Sequence, residues 1–219
     1  MGLFNAPDKL KEAYFELADS PGDRLSWERL GDIYLERLVI NKASHCYQKS
    51  FEVYQEQAPD SSTDSPIFNK FKESYERRRN DPAHNSYMDA MRDISNGADT
   101  ASLYAKTQRL LSLYPDSSQV HGVHGIVCLI RTEQIGDTRY ADEGIRSSNK
   151  AITIDSTEPT YYLDQAILYL MKNDLRKSAS LLEDARVLID ANRPLGIASR
   201  PTKDLEEDYL AIQNDLNSR

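Results

Sequence analysis

The spacing of apolar residues constrains the fold of this chain most strongly. Apolar side chains recur every three or four residues over most of the length, and no sustained alternation of apolar and polar residues appears. The first spacing places apolar side chains on one face of an α-helix, whereas a half-buried strand requires the alternation. The chain has only nine glycines and nine prolines among 219 residues, so few residues would interrupt a helix. We therefore predict an all-α fold.

The periodicity and the capping residues together predict eleven helices. A capping side chain precedes a proline at Ser65-Pro66 and at Asp81-Pro82. This pattern is typical of a first helical turn, because proline has no N–H to leave unpaired there. The predicted helices span residues 7–18, 24–37, 41–57, 66–79, 82–96, 100–114, 118–132, 140–155, 159–172, 175–190 and 203–217. Short helices joined by short turns indicate stacked helical hairpins, which internal repeats often produce.

Residues 27–59 contain a set of residue types at fixed spacing. The set comprises Trp27, Leu30, Gly31, Tyr34, Ala43, Tyr47 and Pro59. It resembles the tetratricopeptide repeat, a helix–turn–helix unit of about 34 residues. The small residues of such a unit let two antiparallel helices approach closely, and the large ones fill the space between them.

The same frame recurs further along the chain. Residues 159–192 fit it without gaps, residues 118–158 fit it with seven additional residues, and residues 84–117 form a weaker copy. The additional residues fall around 134–140, where we expect a longer turn between two helices. The resemblance implies an all-α, tetratricopeptide-like helical-hairpin solenoid with extra N-terminal, central and C-terminal helices.

This frame predicts a three-part organisation of the chain. Residues 1–83 would hold the N-terminal helix, a first repeat at about 24–57 and the extra helix 66–79. Residues 84–192 would form three tandem degenerate repeats (84–117, 118–158 and 159–192). Residues 193–219 would form a linker and a helix that caps the open end of the stack.

Charge and composition exclude several classes of function. The formal net charge is −8, which disfavours nucleic-acid binding, and acidic residues dilute the basic run at 77–79. No apolar stretch is long enough to span a membrane, and we see no signal peptide. Cys46 and Cys128 both lie in apolar helical patterns, so we expect buried thiols in the reducing environment of the cytoplasm.

Three residues of one predicted helix raise the alternative of a metal site. His121, His124 and Cys128 are three and four residues apart, so they share a helix face, and Cys46 or His45 would be candidates to complete the site. We favour the other interpretation, that these side chains pack in the core, because all three fall at signature core positions of the third repeat. No phosphate-binding loop, nucleophile elbow or zinc-protease motif is present. We expect no cofactor, no metal and no enzymatic activity.

The resemblance implies that partners bind the inner face formed by the first helix of each repeat. In the first repeat the inner positions are Glu28, Asp32, Leu35 and Glu36. Some tetratricopeptide co-chaperones hold a C-terminal carboxylate with basic and amide side chains at such positions. Because carboxylates occur here instead, we expect an acidic rim that binds a basic segment.

The inner positions of the last two repeats are apolar. They are Ile126, Leu129, Ile130, Leu163, Ile167, Leu170 and Met171. One interpretation is a groove for an amphipathic partner helix or an apolar peptide. The other is that the chain covers its own groove, with helix 203–217 as the lid on a slack linker at 194–201.

We therefore predict a non-catalytic protein–protein interaction module that acts as an adaptor, a co-chaperone or an assembly factor. The alternative is a constitutive structural subunit of a larger protein complex, whose edges and outer face would matter more than the groove.

Overall fold

The computed structural model describes residues 8–58 and 65–218. Within these ranges the chain forms eleven α-helices and no strand, which confirms the predicted all-α fold class. None of the helices in this part of the chain has the length and apolarity that crossing a membrane requires. The chain divides into two compact units, made of residues 1–80 with 191–197 and residues 81–190 with 198–219.

The first unit contains four helices in series. They are α1 (Lys9–Asp19), α2 (Arg24–Glu36), α3 (Ile40–Gln57) and α4 (Pro66–Asn80), and each packs against the next. Asp8 caps α1 and Asp23 caps α2 by accepting hydrogen bonds from backbone N–H groups of the first turn. Ser65 does the same for α4, where its Oγ accepts from the Phe68 N–H at 3.3 Å. These caps satisfy N–H groups that a helix leaves without partners.

The predicted signature residues form the centre of the first unit. The buried members are Trp27, Leu30, Gly31, Tyr34, Ala43 and Tyr47. A Cβ atom at Gly31 would lie 2.8 Å from Cε1 of the Tyr47 ring, closer than packed atoms approach. Glycine therefore allows α2 and α3 to pack as closely as the repeat pattern predicts.

The segment predicted as a slack linker is packed into the first unit over residues 191–197. Leu195 is 3% exposed and Ile197 is 5% exposed. Asn192 holds the turn, because its Oδ1 accepts from the Ile197 N–H at 2.8 Å and from the Tyr14 hydroxyl at 3.4 Å. The sequence did not reveal this anchoring, since two apolar residues in a polar stretch are too few to define a periodic pattern.

The second unit contains the remaining helices. They are α5 (Pro82–Ser95), α6 (Thr100–Leu113), α7 (Ser118–Ile135), α8 (Thr138–Ile154), α9 (Pro159–Met171), α10 (Leu175–Asn192, the last two residues of which belong to the first unit) and α11 (Thr202–Ser218). From α5 to α9 each helix packs against the next. In addition, α5 contacts α7, α7 contacts α9, and α9 contacts α11.

These contacts between alternate helices define one surface of the second unit. Helices α5, α7 and α9 begin at or near the predicted repeat starts 84, 118 and 159, where the prediction places the first helix of each repeat. Hairpins that stack side by side bring their equivalent helices together. We call the surface formed by α5, α7 and α9 the first-helix face.

The expected longer turn within residues 118–158 is wrong. Helix α7 continues to Ile135 and α8 begins at Thr138, so only two residues join them. Gly136 ends α7 in the left-handed conformation at φ 73°, and Asp137 caps α8 by accepting from the Arg139 N–H. The additional residues lengthen both helices, because helical residues form backbone hydrogen bonds that a loop would leave to water.

Candidate functional site

The first-helix face contains a cavity of about 240 Å³. Its walls include Tyr87 and Met91 from α5, Val123 and Ile126 from α7, and Tyr161 and Asp164 from α9. Ser199 and Arg200, in the segment that precedes α11, line the same cavity. The site therefore combines apolar and aromatic walls with one carboxyl group and one guanidinium group.

Close packing of α7 against α9 sets the shape of this cavity. A Cβ atom at Gly122 would overlap the ring of Tyr161, so a larger residue at position 122 would displace that ring. Tyr161 is 8% exposed, and its ring forms a fixed wall of the cavity.

Glu158 holds the cavity segment of residues 198–200 beside α9. Its Oε2 accepts from the Ser199 N–H at 2.9 Å, and its Oε1 accepts from the Thr160 hydroxyl at 2.8 Å. Arg200, the next residue, forms an ion pair with Asp208 of α11. The guanidinium group is therefore oriented by a carboxylate outside the cavity.

The carboxyl group of Asp164 has an unusual environment. Burial raises its pKa to about 7, and the nearby charges of Asp208 and Glu158 act in the same direction against the lowering effect of Arg200. A carboxyl group with this pKa is partly protonated near neutral pH, so it can donate as well as accept a hydrogen bond.

The structure places the predicted apolar groove residues in different environments. Ile126 lines the cavity, and Ile130, Ile167 and Met171 are half-buried. Leu129 packs against the buried cluster of Ala141, Ile145 and Leu168.

Leu163 and Leu170 require a correction. Each is 2% exposed, so neither can contact a partner in this conformation. Helix α11 lies against α9 and buries its own Leu205 and Ile212. These observations agree with the alternative in which the chain covers part of its own groove.

The predicted acidic rim of the first unit is already ion-paired. The Lys70 Nζ of α4 lies 2.9 Å from Glu28 Oε1 and 2.9 Å from Asp32 Oδ1. Although burial opposes it, hydrogen bonding to both carboxylates raises the pKa of Lys70. The Tyr47 hydroxyl also donates to Asp32 Oδ1 at 2.7 Å. The chain thus supplies its own basic group where we predicted that of a partner.

The other two predicted residues of this rim differ in exposure. Leu35 is half-buried and lines a cavity of about 200 Å³ together with Lys70 and Arg77. Glu36 is exposed.

One cluster in the second unit combines residues that can ligate a metal ion. The side chains of His124, Cys128 and Glu143 place ligand atoms within 4.8 Å of one another. The sequence grouped the first two residues on one face of α7, but it gave no indication of Glu143, which belongs to α8. His121 lines one cavity together with His124 and Glu143, but its Nε2 lies 2.8 Å from the Pro115 carbonyl oxygen and it is not part of the cluster. His45 and Cys46 belong to the first unit.

Comparisons with known proteins give a structural likeness but no sequence match. No protein-family model and no curated protein sequence matches this chain. Among solved structures, the chain is similar to the TPR2AB domain of yeast Sti1 in complex with pHSP90. The identity is 15%, the TM-score is 0.46, and the match covers 93% of this chain and 76% of that one. The resemblance to tetratricopeptide repeats therefore stays a prediction from the signature residues.

Proposed function

We propose that this chain is a non-catalytic protein–protein interaction module, of the adaptor, co-chaperone or assembly-factor kind, and that the cavity of the first-helix face is its binding site. The observation that carries the proposal is the convergence of three equivalent helices on one cavity with apolar walls and a carboxyl group. Of the other predicted groove residues, Leu163 and Leu170 are buried, whereas Ile130, Ile167 and Met171 are half-buried.

The size of the cavity favours a side chain over a free small molecule. Pockets for cofactors and drug-sized ligands measure about 300–1,000 Å³, whereas this cavity measures about 240 Å³. A peptide or partner helix that crosses the first-helix face would insert one residue and leave its backbone outside.

The chemistry of the walls indicates the kind of residue that fits. Tyr87, Met91 and Ile126 would contact an apolar stem, and Asp164 would accept a hydrogen bond from a polar or basic tip. Lysine has this combination of a hydrocarbon stem and a donating head. We therefore favour an amphipathic helix or peptide that presents a lysine between apolar residues.

Selection of peptides against the intact chain tests this proposal. Binders from a random peptide library would be compared on the wild-type chain, on Ile126→Lys in the cavity wall, and on Leu113→Lys as a matched control. Leu113 is 56% exposed and does not line the cavity, so its substitution introduces the same charge away from the proposed binding site. We expect Ile126→Lys to weaken binding by at least about tenfold, or about 1.4 kcal/mol, because its ammonium group repels that of the ligand, and Leu113→Lys to leave it unchanged.

The proposal fails if the selected peptides bind Ile126→Lys as well as the wild-type chain while circular dichroism shows both variants folded. It also fails if binding depends equally on Leu113, because the contact would then lie elsewhere on the unit.

A further inference from the structure

We propose that His124, Cys128 and Glu143 form a binding site for a divalent transition-metal ion, with Zn²⁺ as the best fit. This inference is independent of the peptide-binding role, because it rests on a different set of side chains between α7 and α8.

The distances within the cluster are close to those of a tetrahedral metal site. His124 Nε2 lies 3.1 Å from Glu143 Oε1 and 3.5 Å from Cys128 Sγ. Zinc bonds of about 2.0–2.1 Å to nitrogen or oxygen and about 2.3 Å to sulfur place tetrahedral ligands about 3.3 Å (N to O) and about 3.5 Å (N to S) apart. Two of the three ligand distances therefore already fit an ion, and the third, from Cys128 Sγ to the Glu143 carboxylate, is at most 4.8 Å.

The type of donor atom selects the ion. One thiol sulfur, one imidazole nitrogen and one carboxylate oxygen suit Zn²⁺, whereas Mg²⁺ and Ca²⁺ prefer sites made of oxygen alone. Binding would release the proton of Cys128 to solvent, because the thiolate is the form that ligates the metal.

Residues around the cluster orient its ligands as outer partners do in metal sites. The Tyr104 hydroxyl donates to Glu143 Oε2 at 2.5 Å, and the Gln108 amide donates to Glu143 Oε1 at 3.4 Å. Thr107 Oγ1 lies 2.8 Å from His124 Nδ1, the ring nitrogen that faces away from the other ligands. Such partners fix the ring orientation and the carboxylate position before an ion arrives.

Thr107 can serve both the metal-free and the metal-bound arrangement. Without an ion, its hydroxyl donates to His124 Nδ1, and the Nε2–H donates to Glu143. With an ion on Nε2, the Nδ1–H donates to Thr107 Oγ1, and that hydroxyl donates to the Tyr104 carbonyl oxygen, which lies 3.1 Å away. The ring proton thus moves from Nε2 to Nδ1, the thiol of Cys128 releases the one proton that leaves the site, and no buried donor is left unpaired.

The cluster has room for a fourth ligand. A cavity of about 260 Å³ is lined by His124 and Glu143 together with Leu111 and Arg146. His124 and Cys128 are fully buried, whereas the Glu143 side chain is 28% exposed. Two buried ligands would therefore hold the ion, which would enter from this cavity on the side of Glu143. Three protein ligands and one open position would admit water or a donor group from another molecule.

Titration of the metal-free chain with Co²⁺ and Zn²⁺ tests the site. We expect one equivalent of Co²⁺ to produce a thiolate-to-cobalt charge-transfer absorption, and Zn²⁺ to abolish it with an apparent Kd of about 1 μM or tighter. Cys128→Ser should remove the charge-transfer band, and Glu143→Gln should weaken zinc binding by about 10–100-fold or more. Cys46→Ser is the matched control, since it removes a buried thiol of the first unit and should change nothing.

Several results would overturn the proposal. One is a wild-type chain that shows no charge-transfer band with Co²⁺, a measurement that needs no variant to fold. Another is loss of the band in Cys46→Ser, which would assign the thiolate to the wrong unit. A third is unchanged zinc affinity in Glu143→Gln.

Discussion

Truncation of Trp27 tests the core of the first unit. The indole ring is 2% exposed, and its centroid lies 6.0 Å from that of His45. Its Nε1–H donates to the Pro21 carbonyl oxygen at 2.7 Å. Replacing a buried tryptophan by alanine removes packing and leaves a cavity, so we expect Trp27→Ala to lower the free energy of unfolding by about 3–5 kcal/mol.

A second substitution separates the two contributions to this loss. Trp27→Phe keeps most of the aromatic packing but removes the hydrogen bond and part of the ring volume. Because Pro21 is exposed, its carbonyl group can bond to water instead, and the lost hydrogen bond contributes about 1 kcal/mol. We expect Trp27→Phe to cost about 1–2 kcal/mol.

Urea denaturation followed by far-ultraviolet circular dichroism measures these losses. Trp27 is the single tryptophan of the chain, so its fluorescence in the wild type identifies the transition that belongs to the first unit. Leu25→Ala on the same helix is the control, since Leu25 is 60% exposed and should change stability by less than about 0.5 kcal/mol. A loss below about 1 kcal/mol for Trp27→Ala would refute the packing argument.

Two further predictions concern a close helix contact and a titrating carboxyl group. Gly31→Ala should lower the free energy of unfolding, measured in urea, by about 1 kcal/mol, because crowding against the buried Tyr47 ring outweighs the better helix propensity of alanine. Gly22→Ala is the control and should be neutral, because a Cβ atom at Gly22 would meet open space. A Gly31→Ala variant that is more stable than the wild type would contradict the argument. Because the pKa of Asp164 is raised, the folded chain keeps the carboxyl proton up to about pH 7, whereas the unfolded chain releases it near pH 4. This group therefore makes the free energy of unfolding fall as the pH rises from about 4 to about 7. The thermal midpoint of Asp164→Asn should fall less over this pH range than that of the wild type. An equally steep fall in the two chains would refute the argument.

The order of the helices and most of their first residues could be predicted from the sequence because local signals decide them. Asp81 before Pro82 is an example, since its side chain accepts from the Ala83 N–H at 2.9 Å and starts α5 where the sequence predicted. Cap residues act within three positions of their own backbone, so no knowledge of the tertiary structure is required.

The candidate site was less predictable because its residues meet through tertiary packing. The pairing of Lys70 with Asp32 joins residues 38 positions apart, and the contact of His124 with Glu143 depends on the register between α7 and α8. The apolar stripe of α9 was visible, but a stripe alone does not distinguish a surface that binds a partner from one that the chain covers itself. Leu163 shows the difference, since its burial depends on how the unit packs around α9.

The chain covers part of both predicted binding surfaces with its own residues. The free-energy cost of displacing those residues differs between the two surfaces. Lys70 and Asp32 have side chains that are 38% and 49% exposed, and such ion pairs contribute about 0–1 kcal/mol. A basic partner would therefore displace Lys70 at little cost, although the gain from exchanging one cation for another is equally small. Exposing Leu163 would instead require breaking buried apolar contacts, at about 1.5–3 kcal/mol for each large side chain. A partner that enters the cavity beside Ile126 meets neither barrier, and this is why we place binding there.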